Sequence, residues 1–269
     1  MTIRVPNPLI DPLLRTLMGL PPSLVRFAER SAQLTLETRY LRDSPLVAGM
    51  GAEFDDTCFI TAPQGSHDKL GHIKLALGNK AARHSDIHLT VLNSAGQLQL
   101  LVGGSQVRLF IGVGCVLNGS LHLSSKPTCF IGDDTTLQQT RLIVANGDLV
   151  IGTDCQFSEE AQVLCHQQHL IIDAASQEIL TPGRAKITLG RHVWVGRRAL
   201  VLPGTKVGEG AVVEAGVVLS GEVAAGHWVS AGRPTVQREG VAWLRSAQAL
   251  RPAGTGGGTT HTEKDDGSA

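Results

Sequence analysis

An apolar residue followed by glycine recurs at Ile111-Gly112, Ile131-Gly132 and Ile151-Gly152, twenty residues apart. A second ladder, Leu189-Gly190, Val207-Gly208 and Ala225-Gly226, runs at eighteen, and Val195-Gly196, Val213-Glu214 and Ala231-Gly232 follow it six residues behind. Eighteen is three hexads. In Val207-Gly208-Glu209-Gly210-Ala211-Val212 the apolar lead residue points inward and a small residue two or three places later takes the corner. Three such sides close one triangular turn. A single turn cannot bury its own apolar face, so it must stack on the next, and the chain is committed to a solenoid of parallel strands. Stacked strands then pair along the axis at the usual spacing of about 4.8 Å. The earlier ladder holds two more residues per turn, most simply bulged at a corner, and coils are expected from about Phe54 onward.

The composition agrees with this reading. Glycine is abundant at 31 residues, against six Phe, three Trp and one Tyr, which suits repeated tight corners better than a core of large rings. Twenty-four basic side chains balance twenty-four acidic ones. No whole-molecule field therefore steers the chain to nucleic acid or anionic lipid. No stretch approaches the roughly 20 apolar residues of a spanning helix, and the start lacks a charged region leading into an apolar one. The expectation is a cytoplasmic protein without an integral membrane segment or a nucleic-acid partner. Cys58, Cys115, Cys129, Cys155 and Cys165 are odd in number and show no C-x-x-C spacing, so buried reduced thiols are expected.

Three segments follow. Residues 1–45 form an N-terminal cap, in which Leu9, Ile10, Leu13, Leu14, Leu17 and Leu20 recur at near-helical spacing before Pro21-Pro22, predicting short helices over the open coil end. Residues 46–240 form the β-helix, interrupted by a loop at 166–186. Residues 241–269 are a C-terminal extension whose composition collapses to glycine, threonine and charge, predicting a disordered tail.

The interruption carries the chemistry. The pattern breaks at His166-Gln167-Gln168-His169 and resumes only at Ile187, and a polar stretch of that length inside a fold that needs none is usually functional. His169 to Asp173, Glu178 to Thr181 and Ile187 to Gly196 together resemble the active-site loop of hexapeptide-repeat O-acetyltransferases. Ala199 to Gly204 resembles their "ILKG" corner, Val213 to Val218 their "VGAGSVV", and Ala231-Gly232-Arg233-Pro234 their "AGNPA". Among that family the chain is most similar to bacterial capsular polysaccharide O-acetyltransferases, including the sialic-acid capsule type. The likeness runs from Val107 to Trp243 and is strongest from His169 to Pro234.

This resemblance implies a left-handed coil, which spacing alone does not set. It also implies a homotrimer with sites between neighbouring coils, acetyl-CoA as co-substrate, and a sugar or polysaccharide acceptor. His169 falls on the family's catalytic histidine. An imidazole with a pKa near 6.5 can take the proton of a sugar hydroxyl as it attacks the thioester. Trp194 falls on the tryptophan lining the acceptor and thioester site, where its indole can donate to the thioester oxygen or its face can stack on a sugar. Gly196, Ala215 and Gly216 are candidates for close approach of the pantetheine arm, and Arg233 and Arg238 for the CoA phosphates. No metal is expected. The chain departs from the family pattern at Gln167, where an acid is expected two residues before the histidine, at Leu170 in place of proline, and at Thr235-Val236-Gln237, which lacks the lysine.

Two other readings fit the same coil. One is a metalloenzyme of the γ-carbonic anhydrase type, which needs three histidines converging on zinc between subunits; His166 and His169 stand too close together for ligands on adjacent coils. The other is a non-catalytic assembly module.

Overall fold

The computed structural model describes residues 33–48, 50, 53–78, 83–166 and 183–232. They form a parallel β-solenoid with three sides. The first side stacks the strands Phe59–Pro63, Ile87–Val91, Val107–Ile111, Thr128–Ile131, Gly147–Ile151, Ala185–Leu189, Lys206–Val207 and Glu222–Val223. The second carries Gln156–Phe157, Trp194–Val195, Val212–Val213 and Trp228–Val229. The third carries Ile73–Leu77, Gln162–Cys165, Leu200–Val201 and Val218–Leu219.

Hexad spacing builds the later coils directly. Leu189, Val195, Val201, Val207, Val213 and Leu219, every sixth residue, are all buried in one continuous core. The glycine after such a residue has a steric purpose. A Cβ on Gly152 would lie 2.4 Å from the carbonyl oxygen of Gly190 on the next coil, and one on Gly190 would lie 2.7 Å from the amide nitrogen of Glu209. The corners pack backbone against backbone, which only glycine allows.

In the earlier half the twenty-residue period takes a form that spacing did not foretell. Leu109, Cys129 and Leu149 stack on the first side as expected. The second and third sides, however, fuse into single ten-residue strands, Ser94–Gly103, Cys115–Ser124 and Thr136–Ala145. Leu117 and Leu121, four residues apart, align with Leu137 and Leu142, five apart, across a register shift at Leu117/Gly119. Phe157 and Val163, six apart, continue the series on the next coil. The corner between the second and third sides thus opens step by step, and the surplus residues sit at the corner leading back to the first side. The last coil is shorter than its neighbours. Val207 pairs with Val223, sixteen residues on, so the eighteen-residue ladder does not reach Ala225 as the sequence suggested. The tight corner there is Ser220-Gly221, with Gly221 in the left-handed region at φ +88°.

Coils begin where expected, with Phe54 bridging to His84. The segment foreseen as helices, Leu9 to Leu20, lies outside the described residues. The described part of the cap is a strand, Leu36–Tyr40, laid antiparallel on Phe59–Pro63, followed by 3₁₀ turns at Leu41–Asp43 and Pro45–Val47. An antiparallel strand closes the exposed edge of the first side and ends its parallel ladder. All five cysteines are buried and free.

Candidate functional site

The interruption lies between two coils that still pair with each other. Val163 aligns with Val201, and Phe157 with Val195, each thirty-eight residues on, where the later coils use eighteen. Twenty residues have been inserted without disturbing the ladder. The insertion leaves the strand Gln162–Cys165 on the third side and returns at Ala185–Leu189 on the first. It therefore springs from the corner between them. His166 stands at its start; His169 and Gln167 lie outside the described residues, as do Arg233 and Arg238.

The coil boundary is fastened at every corner. At the insertion's own corner Arg184 grips Asp148 with two nitrogens, Nε to Oδ2 at 2.9 Å and Nη2 to Oδ1 at 2.6 Å. At the corner between the first and second sides Nδ1 of His192 sits 2.5 Å from Oδ2 of Asp154. At the third, Arg197 bonds Glu159, and Nε of Arg198 donates to Glu160 Oε2 at 2.6 Å. The Arg198 guanidinium holds the Glu160 carboxyl below the usual carboxylate range. Such exposed pairs contribute little singly, but the forked Arg184–Asp148 geometry fixes direction as well as distance. Sequence reading missed all of these pairs. Most partners are thirty-eight residues apart, a relation visible only once the insertion is subtracted from the register.

Trp194 opens the first second-side strand after the insertion. Val195 beside it points into the core, which turns Trp194 outward, and it is 37% exposed, one of few large apolar side chains so placed among the described residues. Its indole Nε1–H donates to Ser158 Oγ at 3.0 Å, a partner on the preceding coil. The second side is the one facing away from the corner that bears the insertion. Within one chain, Trp194 and the roots of the loop, Cys165 and Ala185, therefore stand on different faces of the triangle.

The other described candidates gather at the corner between the second and third sides. Gly216 has φ +73°, and a Cβ there would meet nothing within 4 Å, so its surroundings are open. Ala215 precedes it in the same turn. Gly196 is different. A Cβ on it would lie 2.5 Å from the amide nitrogen of Ala215, so its small size already serves the stacking of one coil on the next.

Cys165 is the described thiol closest to the insertion. It is fully buried, and burial pushes its thiol up to about 12. At neutral pH it stays protonated and is a poor nucleophile. Among the described residues no three His, Cys, Asp or Glu side chains gather as a metal site would require, and no helix is long and apolar enough to cross a membrane.

Residues 186–221 match the family model of the bacterial transferase hexapeptide (six repeats). The chain carries a hexapeptide-repeat solenoid. Two solved structures share the fold: the polySia-specific acetyltransferase NeuO, at 19% identity and a TM-score of 0.58 over 65% of this chain and 84% of that one, and the polysialic acid O-acetyltransferase OatWY, at 21% identity and 0.52 over 68% and 92%. No curated protein matches the sequence.

Proposed function

We propose that this hexapeptide-repeat protein is an O-acetyltransferase that moves the acetyl group of acetyl-CoA to a hydroxyl of a sugar in a capsular or exopolysaccharide. The observation that carries the reading is the twenty-residue insertion between two coils that remain in register, with an exposed tryptophan on the coil that follows. The acetyltransferases sharing the fold act on a sugar polymer, which favours the same class of acceptor here.

His169 is the general base. The acceptor hydroxyl oxygen attacks the thioester carbonyl carbon while its proton passes to the imidazole. The carbon–sulfur bond then breaks, and the departing sulfur takes the proton back as CoA thiol. Base catalysis of this kind is worth ~10²- to 10⁴-fold. The protonated, buried state of Cys165 supports direct transfer without an acyl-enzyme. Trp194 presents its indole to the thioester. Ala215 and Gly216, with Gly196 packed beneath them, form the corner along which the pantetheine arm runs, and Arg233 and Arg238 take the phosphates.

The active unit is a homotrimer. Support comes from the placement of Trp194 on the side opposite the insertion's corner: one chain holds the tryptophan face and the roots of the insertion apart, and a neighbouring copy would bring the two together. Five free thiols suit a cytoplasmic setting. The test is His169→Ala, assayed for release of CoA thiol with a panel of glycan acceptors. Release should be abolished with the coil still folded by circular dichroism. Full activity in that variant overturns the mechanism.

A further inference from the structure

We infer that the fused corner of the earlier coils is a binding groove for an extended, hydroxyl-rich glycan chain, leading to Trp194. The inference rests on the acetyltransferase reading for its purpose, though not for its geometry.

In the later coils the corner between the second and third sides projects as a turn. In the earlier coils the strands pass straight through it, bending at Gly96 and Gly119, and the outer surface becomes a cavity of about 670 Å³. The floor at Gly119 is backbone of necessity: a Cβ there would lie 2.0 Å from the Thr140 carbonyl oxygen. The volume falls within the ~300–1,000 Å³ usual for ligand sites.

The walls are two rails of polar side chains. On the third-side wall Lys74, Gln99, Ser120 and Arg141 stand in register on successive coils. On the second-side wall Gln97 aligns with Asn118, and Gln138 follows on the next coil. Gln97, Gln99, Gln138 and Arg141 are exposed and face outward, while the residues that alternate with them, Leu98, Leu100 and Leu142, enter the core. Amides and hydroxyls both donate and accept. A sugar hydroxyl does the same, so a repeating row of such side chains suits a repeating row of hydroxyls. Lys74 and Arg141 are the cations of the lining and Glu159, bonded to Arg197, its acid.

The groove runs along the solenoid axis and is aimed at the candidate site. From Lys74 to Glu159 it crosses four inter-strand steps, about 19 Å at the usual strand spacing, which accommodates several sugar units. Its last lining residue, Glu159, is adjacent to Ser158, the acceptor of the Trp194 indole bond. Beyond it on the same corner come Arg197 and then Ala215-Gly216. A polymer lying in the groove would reach the tryptophan from the side opposite those small residues.

The test measures binding, separate from transfer. Full-length protein is titrated by calorimetry with two probes of about six sugar units, a neutral malto-oligosaccharide and an oligogalacturonate. Ser120→Trp fills the groove from its wall, and Gln99→Ala removes one exposed amide with no buried contact to lose. At least one probe should bind, at least tenfold more weakly to Ser120→Trp and a few-fold more weakly to Gln99→Ala, with thermal unfolding of the second variant unchanged. Preference for the uronic probe assigns Lys74 and Arg141 to its carboxylates; preference for the neutral probe assigns recognition to the amides. Binding of neither probe, or binding unaltered in both variants, overturns the groove. Groove-dependent binding without acetyl transfer to any acceptor would leave the groove standing and refute the enzyme reading instead.

Discussion

Trp194 offers the sharpest quantitative test, because its indole already has a partner whose worth can be bounded. The Nε1–H to Ser158 Oγ bond is 3.0 Å long and partly open to solvent. A neutral hydrogen bond contributes ~0.5–1.5 kcal/mol net. At about 1.4 kcal/mol per factor of ten, its loss accounts for roughly a two- to twelve-fold effect, and water replacing the donor at an exposed site keeps it toward the low end. A donor aimed at the oxygen of a breaking thioester is worth ~10²- to 10³-fold. Trp194→Phe keeps the flat face and removes the N–H, whereas Ser158→Ala removes the same bond from the other end and leaves the N–H in place. If the indole leaves Ser158 to serve the thioester, kcat/KM for acetyl transfer should fall about a hundredfold in Trp194→Phe and less than about tenfold in Ser158→Ala. Steady-state release of CoA thiol, with circular dichroism as the folding control, separates the two. Equal, small losses in both variants would show that the N–H only ties one coil to the next, and the role given to Trp194 would fall.

Further outcomes follow from the coil itself. Gly152→Ala forces a methyl to within 2.4 Å of the Gly190 carbonyl; overpacking of this kind costs ~1–3 kcal/mol, so the midpoint of denaturant unfolding should drop clearly, and an unchanged midpoint would refute the close backbone stacking. The five cysteines should resist Ellman's reagent in the folded protein and react together on denaturation, since they are buried, with Cys115 and Cys165 pushed up to about 12. Rapid labelling of any of them in the native state would contradict that burial. Slow labelling has a practical side, as thiol-detecting assays of CoA release will then carry little background from the protein.

The sequence made the solenoid legible because each side is announced locally: an inward residue at every sixth position and a glycine where backbones meet. Period alone reports how many residues a turn uses, and not which corner holds them. That is why the fusion of two sides across Gly119, and the two residues lost before Val223, came only with the strand register. The same limit hid the pairs that fasten the insertion. His192 and Asp154 share no local pattern, and they meet because their coils stack. The groove was invisible for a related reason, since Gln97, Gln99 and Gln138 read in isolation as ordinary outward residues of alternating strands. Trp194 was singled out through its surroundings in the motif, and the structure adds its exposure and its bond to Ser158. His169, Arg233 and Arg238 rest on the motif resemblance.

The insertion that leaves the ladder undisturbed has a consequence for how such a fold can vary. Because Phe157 and Val163 meet Val195 and Val201 as if nothing lay between them, the scaffold and the inserted segment are separable parts, joined at two roots on one corner. The strand pairing places no demand on the length or composition of what is inserted between them. Drift in the inserted segment can therefore proceed at little cost to folding, and a segment grafted from another solenoid need only match the two anchor points, Cys165 and Ala185, at that corner. A chain of this design can change what it carries at that corner while keeping the frame that presents it.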